Sequence, residues 1–142
     1  MVASDDKTTL AIDYGLRRIG LAKSDPMGII ASAWDTLEVK SEKQALEKLA
    51  AVIAELKPSA LVIGYPLNAD GSPNEACDKI DSVVEQLKKI YPGPIHKVDE
   101  YGTSEEAADV IHAHGKKTGR KKARIDRLAA VIILQRYLDE QA

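Results

Sequence analysis

The stretch Leu10-Ala11-Ile12-Asp13-Tyr14-Gly15-Leu16-Arg17-Arg18-Ile19-Gly20-Leu21-Ala22 decides how the rest of the chain is read. Two apolar runs of strand length flank Tyr14-Gly15-Leu16. The segment therefore predicts two antiparallel strands, over residues 7–13 and 18–24, with Gly15 and Gly20 bracketing a sharp reversal. Asp13 stands at the end of an otherwise apolar run, where burying a charge is costly unless it is paired or binds a metal. Arg17 and Arg18 place cationic charge beside it. That combination suits a site handling a divalent cation and a phosphate. It also suits an aspartate that opens a hairpin and caps its own backbone. The stretch alone leaves both readings open.

Two further acids stand in comparable places. Ile95-His96-Lys97-Val98 reads as a short strand that ends in Asp99-Glu100, and Asp126 sits just before the apolar run Leu128-Ala129-Ala130-Val131-Ile132-Ile133-Leu134. In open α/β sheets, ligands collect at the carboxyl ends of the strands. Asp13 and Glu100 share that edge if their strands run parallel. Asp126, read in the first turn of a helix, has a second explanation as a charge favoured by the helix dipole.

Between these points the elements follow in order. Asp25-Pro26-Met27-Gly28 is a turn, and residues 29–37 read as a third strand. Ser41 caps a helix whose stripe of Ala45, Leu46, Leu49, Val52, Ile53 and Leu56 recurs at three- and four-residue steps. Pro58 ends it, because the residue before a proline avoids helical angles. Ala60-Leu61-Val62-Ile63-Gly64 is continuously apolar, as in a strand covered on both faces, and leads into a polar loop over residues 65–73. A helix over residues 76–90 turns Ile80, Val83, Val84 and Leu87 inward. Thr103 and Glu106 form a capping-box pattern that opens another helix, and a last helix spans residues 124–139. A hairpin meander followed by crossover units predicts an α/β fold, one mixed five-stranded sheet with helices on both faces. The expected organisation is a single domain over residues 1–142, with 1–6 a frayed terminus.

With 142 residues, 44% apolar and 30% charged, the chain reads as globular rather than disordered. Phe is absent, so the core must be aliphatic. Residues 1–9 are polar and do not read as a signal peptide, and no apolar run approaches the ~20 residues that span a membrane. The single Cys77 excludes an internal disulfide and a cysteine zinc site. A cytoplasmic protein is expected. The net charge of −2 hides a cationic block: Lys116, Lys117, Arg120, Lys121, Lys122, Arg124 and Arg127 stand against one acid, Asp126. Gly115, Thr118 and Gly119 break helix there, so the block reads as a basic loop that meets a polyanion. The alternative is a solvated surface. His96, His112 and His114 do not form a ligand set; the last two are two apart and would not face each other on a helix.

Four segments together resemble the YqgF family of ribonuclease H-like proteins. They are Ala11-Ile12-Asp13-Tyr14-Gly15-Leu16-Arg17-Arg18-Ile19-Gly20-Leu21-Ala22, Val62-Ile63-Gly64-Tyr65-Pro66-Leu67-Asn68, Val98-Asp99-Glu100 and Ile125-Asp126-Arg127-Leu128-Ala129-Ala130. Members are described as Holliday junction resolvases and as nucleases that mature the 5′ end of pre-16S rRNA. The resemblance implies a ribonuclease H-like sheet, Asp13, Glu100 and Asp126 as catalytic acids and metal ligands, and products bearing a 5′-phosphate and a 3′-hydroxyl. One departure stands out: Tyr101 follows Glu100 where the family usually has arginine, while Thr103-Ser104 is kept. Tyr101 suits packing beside the sheet end, or stacking on a base.

Three clustered carboxylates repel one another and are satisfied by hard cations, Mg²⁺ or Mn²⁺. Two such ions can activate a water and stabilise the leaving oxygen of a phosphodiester. Asp13 is the expected bridging ligand, with Glu100 and Asp126 flanking it. Arg17, Arg18, Lys121, Lys122 and Arg124 are expected to hold nucleic-acid phosphates, and Asn68 a sugar or base edge or only its own turn. RNA and branched DNA both remain open as substrates, the latter favouring a homodimer. Two other classes compete. Asp13-Tyr14-Gly15 also resembles the first phosphate motif of the sugar-kinase, heat-shock and actin ATPases, which need two such domains. The other is a non-catalytic nucleic-acid-binding module, which the departure at Tyr101 favours and the three acids oppose.

Overall fold

A computed structural model describes residues 6–100 and 121–141, the latter with side chains from residue 125 onward. The elements are β1 (Thr9–Tyr14), β2 (Arg18–Ser24), β3 (Ala31–Glu38), α1 (Glu42–Leu56), β4 (Ala60–Tyr65), α2 (Glu75–Lys88), β5 (Ile95–Asp99) and α3 (Lys121–Gln141). The helix expected from Thr103, with Tyr101, His112, His114 and Lys116, Lys117 and Arg120 of the cationic block, lies outside the described residues.

The strands form one sheet in the order β3-β2-β1-β4-β5. β1 and β2 pair antiparallel, with Asp13 opposite Gly20, and β2 and β3 pair antiparallel. β4 runs parallel to both β1 and β5. The carboxyl ends of β1, β4 and β5 therefore share one sheet edge. Asp13, the loop after Tyr65 and Glu100 all stand there.

Residues alternate between two cores. Leu10, Ile12, Leu61 and Ile63 pack against Leu49 of α1 and Val83 and Leu87 of α2. Ala11, Ala22 and Val62 face the other way, onto Ala130, Ile133 and Leu134 of α3. Helices thus cover both faces, which is why β4 is apolar at every position. The core is aliphatic, as the absence of Phe requires; Tyr91 joins it and donates its hydroxyl to the Pro58 carbonyl at 2.8 Å.

Ser41 caps α1, its side chain accepting from the Gln44 N–H at 3.1 Å. At the other end Lys57, barred from right-handed helical angles by Pro58, turns left-handed at φ 52°. Its N–H still reaches the Ile53 carbonyl at 2.8 Å.

Two expectations are corrected. Gly20 does not bracket the reversal; it lies inside β2, where a glycine marks a close approach by another element. The basic loop does not extend to residue 124. Gly119 is the last helix breaker, and Lys121, Lys122, Ala123 and Arg124 are good helix formers, so these residues open α3. Asp126 consequently falls in the second turn, and the first turn holds no acid. The dipole acts within the first turn and does not account for Asp126.

Candidate active site

β1 ends by delivering Asp13 to the shared sheet edge, where it forms a hydrogen bond with Glu100. Two carboxyl groups can share such a bond only through a proton. Burial, then the charge of Glu100 and that hydrogen bond, then the charge of Asp126 push the Asp13 carboxyl up to about 8. Burial also raises Glu100; its hydrogen bond with Asp13 opposes that rise and the charge of Asp99 adds to it. The site is thus a buried carboxyl pair near a third acid, with both pKa values of the pair displaced upward, the pattern that clusters at functional sites.

Two glycines make room for the other acids. The N–H of Glu100 donates to the Tyr65 carbonyl at 3.2 Å, continuing the β4–β5 ladder one residue past β5. Its carboxyl lies over Gly64 of β4: a Cβ there would come 2.7 Å from Glu100 Oε2 and 2.8 Å from Ile133 Cδ1. On the other side of β1, a Cβ on Gly20 would collide with the backbone carbonyl of Asp126. α3 therefore lands on β2 directly opposite Asp13, and Arg127 Nη1 ties it to Thr36 Oγ1 of β3 at 3.2 Å.

The Asp126 carboxylate points at Arg18, with Nε donating to Oδ2 at 2.7 Å. A charge-assisted bond of that length is strong. Among the described residues no three His, Cys, Asp or Glu side chains converge as a metal-binding group. Asp13 and Glu100 instead form one buried carboxyl pair, and Asp126 is paired with the Arg18 guanidinium. The donors are oxygen alone, the set that suits Mg²⁺, which needs only one or two carboxylates when substrate phosphates and waters complete its shell.

The remaining expected residues separate. Arg17 and Arg18 line a trough of about 660 Å³, joined there by Lys40, Gln44 and Lys48. Lys48 Nζ donates to the Glu38 carbonyl at 2.5 Å. Lys40 and Lys48 were not legible as partners of Arg17; only the placement of α1 beside the β1–β2 reversal unites them. Asn68 is exposed in the polar loop, and its amide is engaged there, donating to Ser72 Oγ at 3.0 Å and accepting from Asn74 Nδ2 at 2.8 Å. Lys121, Lys122 and Arg124 stand in the first turns of α3, on the approach to Asp126. His96 packs its ring 5.0 Å from that of Tyr137. Cys77 is fully buried on α2. No helix among the described residues is long and apolar enough to cross a membrane.

A five-stranded sheet of this order, with helices on both faces, is a ribonuclease H-like fold. In fold it is similar to Thermus thermophilus RuvC, solved in complex with a Holliday junction substrate, with a TM-score of 0.61 at 12% identity over 94% of each chain. It is also similar to the fowlpox virus Holliday junction resolvase, with a TM-score of 0.57 at 15% identity over 94% of this chain and 99% of the other. Residues 7–140 match the RuvX family, described as Holliday junction resolvase, and the chain belongs to that family. A protein of Dictyoglomus turgidum named "Putative pre-16S rRNA nuclease" is 43% identical over 130 residues, 92% of each chain. One of Chlorobium phaeobacteroides with the same name is 35% identical over 136 residues, 94% of this chain and 92% of its own.

Proposed function

We propose that this protein is a metal-dependent nuclease that hydrolyses phosphodiester bonds in the 5′-end maturation of pre-16S rRNA, in the cytoplasm. The observation that carries the reading is the Asp13–Glu100 pair with Asp126 close enough to act on it, at the carboxyl edge of β1, β4 and β5. An aspartate that only caps its own turn has its pKa lowered by the hydrogen bonds it accepts, whereas Asp13 is raised by burial and by the charges of two other acids. The names borne by relatives at 35–43% identity support the rRNA substrate.

Asp13, Glu100 and Asp126 would hold Mg²⁺ or Mn²⁺, with Asp13 central and the other two flanking it. Such ions, when bound, would supply the chemistry of activating a water and stabilising the leaving oxygen. Water adds to phosphorus and the bond to the 3′ oxygen breaks, leaving a 5′-phosphate and a 3′-hydroxyl. Arg18 has two roles in this scheme. It holds Asp126 before substrate arrives, then turns to a phosphate oxygen and frees that carboxylate. Arg17 and the trough lysines hold phosphates further along the strand. These contacts position the strand and carry no sequence information.

The family description favours a second reading, cleavage of four-way DNA junctions, which calls for a two-fold dimer. One experiment separates them. RNA carrying the pre-16S 5′ end, single-stranded DNA and a four-way junction are incubated with the protein and Mg²⁺ or Mn²⁺, each beside Asp13→Asn. Cleavage of the RNA alone supports the rRNA reading, and paired symmetric nicks in the junction support the second. Binding without metal-dependent cleavage of any substrate would leave a non-catalytic nucleic-acid-binding module.

A further inference from the structure

Leu16 is 74% exposed at the tip of the β1–β2 reversal, three residues beyond Asp13. A large apolar side chain so exposed adds little to the core. Its turn is tightly packed: a Cβ on Gly15 would come 2.6 Å from the Arg18 carbonyl, and the Arg17 carbonyl is tied to the Val39 N–H at 2.9 Å. The leucine therefore stands out from a turn anchored on both sides.

Two cavities meet at this side chain. One is the cationic trough of Arg17, Arg18, Lys40 and Lys48. The other, of about 410 Å³, is walled by Tyr14, Pro66, Ala76 and Ile80, and Glu100 reaches into its lining. Glu75 and Lys79 supply polar groups there, Lys79 pairing with Glu42 at 3.4 Å. The first cavity offers cations for phosphates. The second offers a ring and aliphatic walls with a few polar groups, the surroundings that suit a flat heterocycle with a polar edge.

Building on the nuclease reading of the Asp13–Glu100 pair, we propose that Leu16 is a wedge that parts neighbouring nucleobases, and that the Tyr14–Pro66–Ile80 cavity receives the base it displaces. Apolar side chains are inserted between base steps in this way by proteins that unstack nucleic acid. A backbone phosphate at Asp13 and Glu100 places the flanking phosphates along the trough and the adjacent base across Leu16. The substrate class follows: a strand whose base beside the cleaved bond is unpaired or easily unstacked, as at a single-stranded end or a branch point. Unstacking costs least there.

The test uses the full chain in chelator, so that nothing is cleaved, with single-stranded RNA and DNA oligonucleotides carrying 2-aminopurine at successive positions. The wild type should raise the emission several-fold at one position. Leu16→Ala should abolish that rise and weaken binding, whereas Leu16→Met should keep both. Ala76→Phe, which fills the cavity from the exposed start of α2, should suppress the rise while leaving the trough intact. Emission that stays uniform along both strands, or a rise that survives Leu16→Ala, would overturn the wedge. Metal-dependent cleavage of the same oligonucleotides in that event would leave the nuclease reading standing. Failure to bind either nucleic acid would overturn the wedge, and failure to cleave either with Mg²⁺ or Mn²⁺ would overturn the nuclease reading. A rise with RNA alone or with DNA alone supports the wedge and names the strand it takes.

Discussion

The backbone carbonyl of Asp126 occupies the space that a side chain on Gly20 would fill. Gly20 is also the residue opposite Asp13 in the β1–β2 ladder. The strand beside the first acid is thus bare at the one place where the helix carrying the third acid must come down. Gly20→Ala is expected to lift α3 from β2, with a loss of about 1–3 kcal/mol typical of overpacking. Thermal melts and cleavage assays should fall together. Gly64→Ala should behave differently, because its Cβ meets the end of the Glu100 side chain and Ile133 Cδ1 rather than backbone. Its activity should drop well beyond its stability. A Gly20→Ala protein with unchanged melting and cleavage would mean that α3 does not rest on this strand.

The carboxyl pair gives the metal-free protein an unusual response to pH. Asp13 is raised from an ordinary 3.8 to about 8, and Glu100 is raised as well. Between those values the native state holds a proton that the unfolded chain has released. Stability is therefore fully present below about pH 4 for this group, and is lost as pH rises towards 8. Melting temperature measured in chelator should fall across that window once other groups are matched by an Asp13→Asn control. Mg²⁺ should restore stability at pH 8 far more than at pH 5. A control that shows the same decline would place its origin elsewhere.

Asp13→Asn removes one charge from a cluster of acids. Loss of a buried, paired aspartate ordinarily costs about 3–5 kcal/mol. Here the partner is another acid, so the variant should melt in chelator at or above the wild-type temperature at neutral pH. It should gain nothing from Mg²⁺, and its cleavage should fall by orders of magnitude. A much lower melting temperature in chelator would make Asp13 structural.

The two cationic regions make separable predictions. Replacing Arg17, Lys40 and Lys48 with Ala should flatten the salt dependence of nucleic-acid binding, by about 0.7–0.9 in the log–log slope for each phosphate contact removed. Replacing Lys121, Lys122 and Arg124 should do the same if the start of α3 also touches the strand. A slope unchanged in both variants would mean that neither surface holds phosphate.

The hairpin, the amphipathic stripe of α1 and the apolar β4 were legible because each is written in a local period. The edge carrying Asp13 and Glu100 followed from strand direction, which short crossover connections dictate. What stayed hidden depends on contacts between layers. Arg18 and Asp126 are 108 residues apart, and nothing in linear order ties them. Gly20 reads as a turn residue until a helix is seen lying on it. The start of α3 was missed because a dense cationic run also describes a loop, and helix propensity decided between the two only after Gly119. Lys40 and Lys48 lie on segments whose neighbour across the trough is set by the packing of α1.

The seating of Asp126 on Gly20 has a consequence for the newly made chain. Synthesis delivers the β1–β2 hairpin first and α3 far later, so the sheet can form around Asp13 and Glu100 while the third acid is still inside the ribosome. On the proposed reading, the nascent protein remains inert until its last described helix docks. Completion of the fold then acts as the safety catch. A destabilised variant would lose activity by leaving that helix undocked, without ever becoming an unregulated nuclease.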